Sequence, residues 1–272
     1  MEYRKIMYIV ISIICVISVI VAIFIQINLE PVKNKNKENN TVKEKTQEIL
    51  RKEFEEIFDN KINTNNYDLS KIKKTDDQKE IVYTAYQNQE IEENKYELDV
   101  NIPLINIQGD IAYQFNLRTQ KLFVDKNNKI IESVKGYTIY SVEYTGFIND
   151  DILSVIIKST LKEGKNPQRI IIETYNYNLK EDKEVSIYDV ISKKEIKEKE
   201  LQDKVNLEIT KAIREENRIQ LTGYETFTRD INSEIYQIKN IKNFYIGPNN
   251  KLYIVFAYGN TNFTSEMDII EI

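Results

Sequence analysis

The longest run of apolar positions lies at residues 6–25: twenty residues without a charge, interrupted only by Tyr8, Ser12 and Ser18. At the helical rise of about 1.5 Å per residue it covers roughly 30 Å, the thickness of a bilayer's hydrocarbon core, and so predicts a membrane-crossing helix from Ile6 through Cys15 to Ile25. The run leaves through Phe24, Ile25, Gln26, Ile27, Asn28 and Leu29, without the small-residue site of a cleaved leader, which points to an uncleaved signal anchor. Arg4 and Lys5 stand before it; Lys33, Lys35 and Lys37 follow, tempered by Glu30 and Glu38. Met1 to Lys5 are too few for a domain, so the expectation is a single-pass protein of the cell membrane with its large C-terminal part outside the cytoplasm.

Beyond the anchor the pattern changes several times. Residues 31–40 alternate Lys and Asn and read as a solvated linker. Val42, Ile49, Leu50, Phe54, Ile57 and Phe58 recur at helical spacing, as a helix packed on its own domain or a dimerising stalk would require. Residues 62–78 are polar, which sets an expected boundary near residue 80. Residues 80–86 and 95–100 have strand composition, with Pro103 expected to end the second. Gly109-Asp110 opens a helix bearing Ile111, Phe115, Leu122 and Phe123, which runs to about 133 or breaks at Asn127-Asn128. Three strands at 137–148, 152–160 and 169–178 make an antiparallel meander. A second long helix covers 195–216, followed by a hairpin at 243–246 and 251–258 and a last strand at 267–272. The pattern predicts an α+β fold: an antiparallel sheet with two long helices on one face, preceded by one transmembrane helix. The expected organisation is 1–29 stub and anchor, 30–79 linker and amphipathic helix, and 80–272 extracytoplasmic domain, in halves 80–168 and 169–272.

Composition narrows the chemistry. Abundant Lys, Asn, Ile, Tyr and Glu, with no Trp or His, indicate an AT-rich genome such as that of a low-GC Gram-positive bacterium. The net charge is -5, from 38 basic and 43 acidic residues, which argues against nucleic acid as a partner. Without histidine, and with Cys15 inside the apolar run as the single cysteine, the chain cannot build a Ser-His-Asp or Cys-His site, a His-based zinc site or a disulfide. The carboxylate pairs Asp150-Asp151, Glu92-Glu93 and Glu215-Glu216 diverge on a strand or helix, and Asp68 with Asp76-Asp77 lacks the EF-hand spacing. No catalytic residue, metal ligand or cofactor is therefore expected. Tyr175, Tyr177 and Tyr258 alternate along strands with Tyr245 and Tyr253, and each serves either the core or a partner-binding surface. The polar stretch from Tyr258 to Glu266, with Asn260 and Phe263, is the candidate contact loop.

Several stretches resemble a known family. Glu173-Thr174-Tyr175-Asn176-Tyr177-Asn178-Leu179-Lys180, followed by Val185-Ser186-Ile187-Tyr188-Asp189-Val190, is similar to the "yNfDL.tGk..sL.Dlf" strand and turn of RsiV-type extracytoplasmic domains, which also precede the catalytic part of PdaC-type peptidoglycan deacetylases. Asn243-Phe244-Tyr245-Ile246, Lys251-Leu252-Tyr253-Ile254-Val255-Phe256 and Tyr258-Gly259 resemble that family's ending. Asn101-Ile102-Pro103-Leu104 and Asp151-Ile152-Leu153-Ser154-Val155-Ile156 resemble its first half. The resemblance spans roughly residues 80–272 and implies an α+β domain outside a Gram-positive membrane that binds a protein such as lysozyme, or cell-wall material, without being an enzyme. RsiV-type proteins also restrain a sigma factor in the cytoplasm, for which residues 1–5 offer no segment unless the chain start differs. The family's "gGAHg"-like loop is replaced here by residues 162–169, which lack histidine. A structural role in an envelope assembly, working through the helix at 41–60, is the alternative.

Overall fold

Apolar side chains occupy both faces of the central strands, and this double pattern determines the architecture. A computed structural model describes residues 45–65, 67–133 and 136–272. The expected anchor, with Ile6, Cys15 and Ile25, and the linker up to residue 44 lie outside the described residues. Among those described, no helix is long and apolar enough to cross a membrane.

β4 (Thr138–Asn149) and β5 (Ile152–Glu163) are antiparallel and turn at Asp150, whose φ of 51° suits a tight reversal. β6 (Arg169–Asn178) continues the meander. One face of these strands carries Tyr140, Val142, Tyr144, Leu153, Val155, Ile157, Tyr175 and Tyr177 into the larger core. The opposite face contributes Phe147, Ile156 and Ile172 to a different core. Leu98, Val100 and Ile102 of β3 (Tyr96–Ile105) extend the larger core, and β3 runs parallel to β4. A parallel pair needs a crossover, supplied here by α2 (Asp110–Thr119), a π-helical turn at Gln120–Val124 and α3 (Asp125–Glu132). The helix therefore passes Asn127 and Asn128 without a break, held by Phe115, Phe123 and Ile130 in the core. β2 (Val82–Glu92) forms the outer edge, β1 (Ile62–Asn63) pairs parallel with β4, and β7 (Lys183–Glu184) pairs with β6.

The first sheet is thus mixed rather than purely antiparallel. Pro103 does not end β3: it lies beyond the stretch paired with β4 and opposite Thr84, where a register shift already interrupts the β2 ladder, so its missing N–H is tolerated.

A second sheet comprises β8 (Phe244–Ile246), β9 (Leu252–Ala257) and β10 (Met267–Glu271). Tyr245, Tyr253, Val255, Met267 and Ile269 pack against Phe147, Ile156 and Ile172 of the first sheet. The other face, with Phe244, Leu252, Ile254, Phe256 and Ile270, receives Leu201, Val205 and Ile209 of α5 (Glu198–Gln220). α4 (Ile187–Lys193), opened by a Ser186–Asp189 capping box, closes the same core. The layers run helix, sheet, sheet, helix. The expectation of two long helices on one face is corrected accordingly: each helix covers the outer face of its own sheet, because β5 buries both its faces and needs an apolar layer on each side.

Residues 45–272 form one compact unit, which takes in the segment before residue 80. α1 (Gln47–Glu55) is capped by Thr46 and buries Leu50 and Phe54 beside β10, while the Gln47 amide bonds the backbone of Ile269. Its apolar stripe is used within its own domain. The polar connection that follows is fastened by Asn side chains. Asn60 accepts the N–H of Tyr144 at 3.1 Å, and buried Asn106 accepts from the backbone of Asp76 while donating to the carbonyls of Asp76 and Glu80.

Candidate functional site: a cleft beside the exposed side of β6

The interface between the two sheets is apolar at its centre and polar along β8. The backbone of β8 is satisfied by buried side chains of the first sheet. Ser154 Oγ accepts the N–H of Ile246 at 3.0 Å and donates to Asn176 Oδ1 at 2.6 Å. Asn176 Nδ2 donates to the carbonyl of Phe244 at 2.8 Å, and Thr174 Oγ1 accepts the N–H of Phe244 at 3.1 Å. Asn149 Nδ2 donates to the carbonyls of Ile246 and Gly247. The first sheet thus supplies the donors and acceptors that a neighbouring strand would otherwise provide.

β6 borders the sheet, and most of its outward backbone is likewise covered. Asn260 presents Oδ1 to the N–H of Ile172 at 3.0 Å and Nδ2 to its carbonyl at 2.7 Å, standing in for a strand residue. Thr264 O accepts from Ile170 N, and the Arg169 guanidinium donates to the carbonyl of Gly259. Gly259 has to lack a side chain: its Cβ would collide with the carbonyl oxygen of Ile170, a backbone atom that cannot swing away. Farther along, β7 covers Tyr177 and Asn178. Alternation along the ladder turns the N–H and C=O of Thr174 outward between these two covers.

There a cleft of about 450 Å³ opens, lined by Glu173, Asn240, Lys242, Asn243, Tyr258 and Thr261 among others. Glu173 has no ion-pair or hydrogen-bond partner among the described residues. Burial pushes its carboxyl above the usual carboxylate range, against the opposing pull of Arg118 and Lys242. No nucleophile paired with a base lies among these residues. Glu173 is an odd residue of β6, on the side turned toward α2, with Arg118 and Lys242 as the cations that act on it. A carboxylate at that edge can accept from ammonium, guanidinium or hydroxyl groups, which is chemistry for binding.

Through Tyr258 the cleft is linked to a buried charge network. Arg229, its side chain 6% exposed, donates through Nε to Asp268 Oδ2 at 2.6 Å and through Nη2 to Oδ1 at 3.0 Å. Its backbone N–H reaches Glu216 at 3.2 Å, and its guanidinium stands 3.6 Å from the same carboxylate. Tyr258 Oη donates to Asp268 at 2.6 Å and receives Tyr236 Oη at 2.7 Å. Burial, then the charge and hydrogen bond of Asp268, push the Tyr258 phenol far above its ordinary range. For Arg229 burial works against the charge, but Asp268, Tyr258 and Glu266 outweigh it and hold the guanidinium protonated.

The residues singled out in the sequence divide as follows. Tyr175 and Tyr177 are buried in the larger core, ring against ring and against Phe115, because β6 turns its odd residues toward α2. As a partner-contacting pair on an open sheet face they are corrected. Tyr258 is buried as well, with its hydroxyl spent on Asp268 and Tyr236. Asn260 borders the cleft but commits its amide to Ile172, and Phe263 alone is substantially exposed, at 43%, with the Arg169 guanidinium 5.6 Å from its ring. Glu173, Arg229 and Glu216 carried no local signal. Asp268 did: a carboxylate set between Met267 and Ile269-Ile270 in a strand buried there demands a buried partner.

No family model matches the chain, and no curated protein matches it. Among crystal structures, a DUF3298 family protein from Pseudomonas aeruginosa PAO1 aligns at 11% identity and a TM-score of 0.41 over 70% of this chain and 86% of that one. A DUF3298 member from Bacteroides fragilis NCTC 9343 aligns at 11% identity and a TM-score of 0.35 over 65% of this chain and 81% of that one.

Proposed function

We propose that this chain is a membrane-tethered binding domain on the outer side of a Gram-positive cell membrane, which holds a protein such as lysozyme, or cell-wall material, in the cleft beside β6 without catalysing a reaction. The observation that carries the reading is Glu173. A carboxylate kept half-buried without a partner costs stability, and proteins accept that cost where a ligand supplies the missing partner. Asn240, Asn243 and Thr261 line the same cleft, and Tyr258, which lines it too, ties it to the buried Arg229–Asp268 network. The RsiV-type sequence resemblance supports the class of ligand, and the apolar run at residues 6–25 supports the tether.

The test uses the full chain in detergent micelles, incubated separately with insoluble peptidoglycan and with lysozyme. The reading expects retention by at least one of them, lost in Glu173→Gln. Absence of binding to both refutes it, and binding that Glu173→Gln leaves intact moves the site elsewhere.

A further inference from the structure

The end of α5 presents a feature that the cleft does not use. The helix closes through Leu221 N to Asn217 O at 3.1 Å, Thr222 N to Ile219 O at 2.9 Å and Gly223 N to Gln220 O at 2.9 Å. Gly223, at φ +87°, reverses the chain in a conformation that side-chain-bearing residues avoid. The returning limb is equally fixed. Thr226 receives a hydrogen bond from Gln220 at 2.8 Å, the Phe227 ring lies 4.3 Å from that of Tyr258, and Arg229 is locked to Asp268. Between two fastened limbs, Leu221 stands 89% exposed and Tyr224 71% exposed. They are large side chains held in water at a hydrogen-bonded turn. Of the nearest exposed charges, Arg218 is paired with Glu215 at 2.5–2.8 Å, while Glu225, next to Tyr224, is exposed and keeps its carboxylate in water beside the turn.

We propose that this tip, Leu221 with Tyr224, inserts into the headgroup boundary of the bilayer and orients the domain on the membrane surface. The inference rests on the tethered reading above. Two side chains bury far less than the roughly 1,000 Å² that a specific protein interface needs, so the tip is too small to hold a protein partner by itself. A lipid surface asks for less when the domain cannot leave it. Nineteen residues, 26–44, separate the apolar run from Lys45 and cap its distance from the bilayer at about 65 Å even when fully extended, so that lipid is always at high effective concentration. Leucine favours the acyl region, and tyrosine, apolar in its ring and polar at its hydroxyl, favours the interface.

The chain contains no tryptophan, so Tyr224→Trp creates a single reporter at an exposed position. The full-length variant is reconstituted into phosphatidylcholine vesicles, checked by flotation, and its emission recorded with and without acyl-chain-brominated lipid and aqueous acrylamide. The expected result is emission shifted to shorter wavelength, quenched by bromine and shielded from acrylamide, with all three effects lost on adding Leu221→Asp. Flotation with a fully water-exposed reporter overturns the insertion and leaves the tether standing. Failure to float overturns both. Quenching that survives Leu221→Asp, or shielding that appears only when a protein ligand is added, also overturns the insertion.

Discussion

Replacing Arg229 with methionine removes the guanidinium while keeping much of the side chain's length and apolar stem. Asp268, 1% exposed, would keep the Tyr258 hydroxyl at 2.6 Å and Arg51 at 3.2 Å, but lose both of its bonds to Arg229. Glu216, also buried, would keep the backbone N–H of residue 229 and a bond from Gln220. Removing one partner of a buried ion pair costs about 3–5 kcal/mol. The donors left to Asp268 place this case at the lower end, near 3 kcal/mol. With a urea m-value of about 3 kcal/mol/M for a unit of this size, the unfolding midpoint should fall by roughly 1 M. The assay is urea unfolding followed by far-ultraviolet circular dichroism, run on wild type, Arg229→Met, Asp268→Asn and the double variant. The cycle should give a coupling of at least about 1.5 kcal/mol, because neutralising Asp268 relieves the charge that Arg229→Met strands. A loss below about 1 kcal/mol for Arg229→Met, or strict additivity, would refute the view that this buried network, tied to the cleft through Tyr258, stabilises the fold.

Three further outcomes follow from the same structure. Glu173 has a folded-state pKa raised by burial, so its ionised form penalises the fold: the penalty is absent below the unfolded carboxylate's pKa of about 4.3, grows as pH rises through the raised folded value and is full above it. Glu173→Gln should therefore raise the thermal midpoint at pH 7 and leave it unchanged near pH 4; destabilisation at pH 7 would contradict this. Asn176→Leu strands the carbonyl of Phe244 between the sheets and should cost about 2–3 kcal/mol by denaturant unfolding, with a cost under about 0.5 kcal/mol ruling out the polar ladder as a determinant of sheet docking. Gly259→Ala should loosen the cover over β6, seen as faster hydrogen exchange at the amides of Ile170 and Ile172, and unchanged exchange would show that the loop does not protect that edge.

Much of the fold was legible in composition and spacing. The meander of β4, β5 and β6 follows from β-branched and aromatic runs separated by turn residues, and the long α5 from helical spacing, since an amphipathic helix has one face to bury. The layering was not legible. The run Ile152-Leu153-Ser154-Val155-Ile156-Ile157 announces a strand buried on both faces, but which layer covers which face depends on contacts with β8 and β10, some ninety residues and more away. The crossover between β3 and β4 was hidden for a similar reason, because strand direction leaves no mark on composition. At the candidate site, Tyr258 and Asn260 were found in the sequence as contact residues, but neither side chain is free. Tyr258 is drawn inward by Asp268, and Asn260 is spent on the backbone of Ile172. Glu173 carried no mark in the sequence, because its half-burial depends on distant segments: Arg118 of α2 and Lys242 are the cations that act on it.

The account's central claim is that the cleft beside β6 binds a ligand through Glu173. Its most direct test is a calorimetric titration of full-length protein in micelles with soluble peptidoglycan fragments and, separately, with lysozyme, for wild type and Glu173→Gln at pH 7. The account predicts a saturable isotherm with one of the two for wild type, lost in a variant that is at least as stable. Flat isotherms with both ligands, or equal binding by Glu173→Gln, would contradict it.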